Sequence, residues 1–123
     1  MASEIEHQEL ERRAAKNQSL FRDVNERVSE INKEHGLWVT LSDWICECAD
    51  ETCTERIELT PQQYENVRES GTYFAVTPST EHVVPDVEQV VEQHARYWVV
   101  EKVGEAASVA EDLDPRPRRN RPI

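Results

Sequence analysis

The chain has 123 residues, with 25 acidic and 14 basic side chains, a formal net charge of −11 and 37% hydrophobic residues. That length suits one compact domain. No apolar run approaches the roughly 18 residues of a membrane-spanning helix, and the charged N-terminal stretch lacks the apolar core of a secretory signal, so a soluble cytoplasmic protein is expected. Four of the basic residues, Arg116, Arg118, Arg119 and Arg121, follow Asp114, so residues 1–114 carry 10 basic against 25 acidic groups, a balance of −15. A body that acidic repels phosphate backbones and disfavours nucleic acid as its ligand.

Ser3-Glu4-Ile5-Glu6 has the form of a capping box, and no Pro or Gly follows until Gly36, which suits a helix C-cap. The spacing predicts a helix over about 4–35, roughly 48 Å long at 1.5 Å per residue. Leu10, Ala14, Phe21, Val24, Val28 and Ile31 follow a 4-3 spacing with Asn17 in the missing step, a seam of about three heptads. Arg12, Arg13, Arg22, Asp23, Glu26, Arg27 and Glu30 fall on the other faces. Such a seam either packs on the chain's own domain through Phe21, Val24, Val28 and Ile31, or joins a second copy or a partner protein.

Beyond Gly36 the pattern turns to short β-forming runs. Leu37–Leu41 and Trp44–Cys46 read as strands around a Ser42-Asp43 turn, and residues 56–60 alternate as a half-buried strand. Thr60-Pro61-Gln62-Gln63 provides a cap, a Pro at the first helical position and a box-closing Gln for a short helix through Tyr64 and Val67 to Gly71. Thr72–Val76 reads as a strand, 77–80 as a loop, and Pro85 opens a helix through Val87, Val90 and Val91 to His94. Tyr97–Val100 is the strongest strand, and a weak helix after Gly104 meets Pro115. This order predicts an α+β fold: a long N-terminal helix (1–36), a small mixed or antiparallel sheet with two or three short helices (37–114), and a disordered Arg/Pro tail (115–123).

All three cysteines lie within eight residues, Cys46-Glu47-Cys48 and Cys53, a C-x-C-x4-C pattern. An odd number of clustered thiols in a reducing compartment suits metal binding better than disulfides. Zn²⁺ takes four N/S ligands, so a fourth is needed. His82, on a polar loop, is preferred; His94, before the strongest strand, is the alternative. The competing readings are three reduced core cysteines without metal, and a thiol or zinc redox sensor. Acidic neighbours Glu47, Asp50 and Glu51 raise thiol pKa and disfavour a reactive catalytic cysteine. A structural zinc would strengthen so small a core.

The pattern is similar to the opening of the SWIM-type zinc finger, C-x-C, a spacer, then C-x-H. Cys46, Cys48 and Cys53 match its cysteines, but Glu55 stands where its histidine would be, so neither its ligand set nor its nucleic-acid role transfers. Over about residues 17–115 the chain also resembles a family of short uncharacterised bacterial proteins. The resemblance lies in Phe21-Arg22-Asp23-Val24-Asn25-Glu26-Arg27, the Cys46–Thr60 segment and Trp98–Glu105, and it implies no activity. The sequence carries no nucleophile elbow, phosphate loop, dinucleotide fingerprint or H-E-x-x-H motif, and its aromatic residues are the stuff of a core. The expectation is a small non-enzymatic zinc-binding regulatory or adaptor protein. Its acidic surface or N-terminal helix would meet an unidentified protein partner or a second copy, and no membrane.

Overall fold

A computed structural model describes residues 4–50 and 52–116, giving the helical backbone alone for 4–11. The Ser3–Glu6 box, the Leu10 side chain and residues 117–123 of the arginine tail lie outside the described residues. The elements run α1 (Glu4–Glu34), β1 (Ser42–Ile45), β2 (Arg56–Leu59), α2 (Pro61–Val67), β3 (Tyr73–Val76), a 3-10 turn (Thr80–His82), β4 (Glu88–Gln93), β5 (Trp98–Lys102) and α3 (Gly104–Asp112). β1 and β2 form an antiparallel hairpin, and a second antiparallel sheet has the order β3-β5-β4. The fold is α+β.

Helix α1 ends where Gly36 takes φ +71°. The Leu37 amide donates to the Asn32 carbonyl at 2.9 Å and the Gly36 amide to the Lys33 carbonyl at 3.0 Å, a Schellman ending that only glycine adopts without strain. Helix α2 starts on the expected box. The Thr60 side chain accepts from the Gln63 amide at 3.1 Å, and the Gln63 side chain accepts from the Thr60 amide at 2.8 Å. Trp44, Ile57, Leu59, Tyr64, Val67, Ala75, Tyr97 and Val99 form the main core, with Val28 packed against it. Cys46, Cys48, Phe74, Val76, Val100 and Ala110 form a second cluster.

The face that α1 buries overlaps the apolar seam only in part: Ala14 and Val28 pack against core clusters and Phe21 is half-buried, but the fully buried stripe lies beside the seam. Ala15, Gln18, Ser19, Arg22, Asn25 and Ser29 point inward, whereas Leu20, Val24 and Ile31 are exposed by 63%, 44% and 55%. The inward stripe keeps the 3-4 helical period but is mostly polar. It works because each long polar side chain meets main-chain carbonyls that no strand satisfies. Arg22, which hydropathy places on an outer face, is fully buried; its guanidinium donates to Gly71 O at 2.6 Å and Ala110 O at 2.9 Å and lies 4.6 Å over the Phe74 ring.

Three local expectations are corrected. Residues 37–40 are turns and Ser42-Asp43 belong to β1, because the hairpin register pairs Ser42 with Leu59 and Asp43 with Glu58. Residues 88–93 are a strand, not a helix. Their register against β5 shifts between Val90 and Glu92, a bulge whose extra residue breaks the alternation and lets the valines imitate helical spacing. Arg116, expected in the solvated tail, is instead held by Glu65 at 2.6 and 3.0 Å and by Glu26 at 2.8 and 3.0 Å.

Candidate metal centre

After β1, residues 46–48 stay extended, so side chains alternate between two faces. Cys46 and Cys48 go one way and Glu47 the other. The segment joins the two sheets: the Cys46 amide donates to Glu55 O at 3.1 Å, and the Glu47 amide donates to Ala75 O at 2.8 Å along the open edge of β3. The loop to Cys53 is shaped by Asp50, whose carboxylate accepts from the Thr52 amide at 2.9 Å and the Thr52 hydroxyl at 2.7 Å, while the Cys53 amide reaches Asp50 O. His82 closes the 3-10 turn that follows Pro78. Ser79 caps that turn, its hydroxyl accepting from the Glu81 amide at 3.2 Å.

These three pieces bring Cys46, Cys48, Cys53 and His82 together, with one donor atom from each within 4.8 Å of every other. His82 Nδ1 lies 3.6 Å from Cys46 Sγ and 3.7 Å from Cys53 Sγ. A tetrahedral ion with Zn–S near 2.3 Å and Zn–N near 2.0–2.1 Å sets S···N edges of about 3.6 Å. The cluster can therefore hold a metal ion. Two ligands are buried and two are half-buried, so the site opens on one side. His94, the alternative fourth ligand, is elsewhere: it stacks on Tyr97 with centroids 4.5 Å apart, and its Nε2 lies 2.8 Å from Glu92. Glu55, where the SWIM-like pattern has histidine, is exposed and offers its carbonyl to Cys46.

The electrostatics differ from the simple expectation that acidic neighbours raise every thiol. The Cys46 thiol is drawn down to about 5 by a hydrogen bond from Cys48, against the effect of burial and with help from the Thr77 amide and His82. That amide donates to Cys46 Sγ at 3.2 Å. Cys48 is pushed up, first by its bond with Cys46 and then by burial. Cys53 is pushed up chiefly by burial. Cys46 is thus the favoured thiolate, and the Glu47 carboxylate turns to the other side of the segment, toward Asn25, Tyr64 and Ala75.

Glu47 is the residue that motif reading undervalues. Its side chain is fully buried, and its carboxylate accepts from Asn25 Nδ2 at 2.9 Å, the Tyr64 hydroxyl at 2.8 Å and the Ala75 amide at 2.9 Å. Burial raises its pKa against these hydrogen bonds. The alternation of an extended C-x-C run was the available signal that this acid opposes the thiols. Asn25, Gln18 and Thr77 left no such signal in spacing. In comparison with known proteins, no family model matches the chain, and no curated protein or solved structure matches it significantly.

Proposed function

We propose that this protein is a small non-enzymatic zinc-binding module that works as a regulator or adaptor through contacts with another protein. The observation that carries the reading is the convergence of three cysteine sulfurs and one imidazole nitrogen within 4.8 Å. Three thiolates and an imidazole are a donor set of the kind that closed structural zinc sites use. Zinc here ties the hairpin end, the 49–53 loop and the 3-10 turn into one unit, and its binding energy adds to folding energy. The interior polar groups are spent on holding the backbone, as with Glu47 and Arg22, which favours a scaffold over a catalyst. The acidic body disfavours nucleic acid. Exposed Leu20, Ile31, Trp38 and Val39 favour a protein partner. Among the described residues no helix is long and apolar enough to cross a membrane.

Native mass spectrometry of protein purified under reducing conditions tests the reading. One zinc per chain is expected, lost in Cys48→Ser, weakened in His82→Ala and retained in His94→Ala. A folded chain that takes up no zinc overturns it. The closeness of the three sulfurs, within 4.8 Å of one another at a site that two half-buried ligands leave open, favours a second reading, a redox sensor. In that case hydrogen peroxide takes two electrons from two cysteine thiolates, the S–S bond forms as the O–O bond breaks, two protons from solvent complete two waters, and zinc, short of two ligands, leaves. Retention of zinc through mild peroxide decides for the structural role.

A further inference from the structure

The geometry points to α1 as part of the metal centre, with Asn17, Gln18 and Asn25 as positioning residues that hold the cysteine segment through its backbone. This inference rests on the metal-binding reading above. Three successive same-edge carbonyls of the extended segment each receive a carboxamide from the helix. Asn25 Nδ2 donates to Ile45 O at 2.7 Å, Gln18 Nε2 to Glu47 O at 3.0 Å and Asn17 Nδ2 to Ala49 O at 3.2 Å. Asn25 also accepts from the Ile45 amide at 2.9 Å, so its carboxamide makes both bonds that a neighbouring strand would make.

The lengths match. From residue 17 to residue 25 a helix rises about 12 Å, and from 45 to 49 an extended chain spans about 13 Å, so the helix lies along the segment as a substitute strand running the other way. On the opposite edge the Cys46 amide donates to Glu55 O, while the Glu47 amide, on the helix's own edge, donates to Ala75 O. Cys46 and Cys48 therefore leave a backbone pinned on both edges, and their sulfurs are aimed before a metal arrives. An unpinned segment would have to be ordered by the metal itself, at a cost in affinity; outer partners that orient metal ligands commonly account for about 10–100-fold in affinity. By linkage the effect is reciprocal, so metal binding tightens the docking of α1.

The test is a Co²⁺ titration of the full-length reduced protein, read by thiolate-to-cobalt charge-transfer bands, with Zn²⁺ competition. Asn25→Ala is expected to weaken cobalt binding by about 10-fold or more and to alter the band shape. Asn17→Ala sits at a half-buried position and keeps the test alive if Asn25→Ala does not fold; a several-fold loss is expected. Thr60→Ala removes the side-chain cap of α2, a hydroxyl that bonds neither α1 nor residues 45–49, and serves as the destabilised control that keeps wild-type affinity and spectrum. Wild-type cobalt binding in both asparagine variants, or an equal loss in Thr60→Ala, overturns the inference and leaves the metal site standing. A wild-type chain that binds neither cobalt nor zinc overturns both. In hydrogen exchange, zinc is expected to protect α1 amides around 14–28 beyond the chelated state, and unchanged protection counts against the inference.

Discussion

Glu47→Gln isolates the interior anchor of the C-x-C segment while keeping its shape. The carboxylate takes three donors, from Asn25, Tyr64 and the Ala75 amide, at 2.8–2.9 Å. A glutamine has one acceptor oxygen. If that oxygen keeps the Ala75 amide, the new NH2 group faces the NH2 group of Asn25, two donors with no acceptor, while the Tyr64 hydroxyl can turn to accept. One buried donor left unpaired costs about 1–3 kcal/mol, and the surviving bonds fall from charged to neutral strength, roughly another 1 kcal/mol. Against this, the substitution relieves the burial of a charge, a penalty visible in the raised Glu47 pKa. The net expectation is a loss of about 2 kcal/mol, a large share of the roughly 5–15 kcal/mol typical of a domain. Urea unfolding followed by circular dichroism reads this as a midpoint lower by about 1 M for a typical slope. Tyr64→Phe alone should cost about 1–2 kcal/mol, and the double variant less than the sum, because the two changes remove one shared bond. A Glu47→Gln protein as stable as wild type would refute the reasoning: charge burial would then outweigh the hydrogen bonds, and the segment would be held by something else.

Three further outcomes follow from the polar framework. Arg116→Ala removes a guanidinium clamped between Glu65 and Glu26, leaving two carboxylates facing each other; a melting temperature lower by about 4 °C is expected, whereas no change would return Arg116 to the solvated tail. Gly71→Ala puts a Cβ 2.7 Å from Asp114 Oδ2, an oxygen that belongs to the carboxylate tied to Arg68, so calorimetry should show a loss of about 1–2 kcal/mol that shrinks when Asp114 is also alanine. Acidification should destabilise the protein below about pH 4.5. Burial works to raise Glu65 and Asp114, but hydrogen bonds from Arg116 and Lys33 and the charge of Arg68 hold both below their ordinary values. Their stabilisation is present above the unfolded pKa values and is lost as pH falls through the folded ones. Glu47 has the opposite sign, since its raised pKa means acid relieves its burial. Melting temperature against pH, with Arg116→Ala showing a shallower acid loss, checks the assignment.

The parts of this fold that were legible in the sequence are those whose physics is local. The Thr60 box, the Gly36 ending of α1, the alternation of 56–59 and the aromatic and β-branched run at 98–100 depend on residues a few positions apart, and the structure carries each of them. The clustering of Cys46, Cys48 and Cys53, with His82 preferred over His94, was likewise readable, because metal ligation restricts donor types as well as spacing. Tertiary structure decided what hydropathy could not. α1 buries Gln18, Arg22 and Asn25 beside Ala15 and Val28 and exposes Leu20, Val24 and Ile31, since the interior it meets presents main-chain carbonyls that the strands leave over as well as apolar side chains. The 88–93 run became a strand because β5 offered it hydrogen bonds and a bulge absorbed its odd spacing. Glu47, between two metal-ligand candidates, turned inward to close the edge of β3, a role set by where Ala75 and Tyr64 stand in space and by nothing within its own stretch of chain.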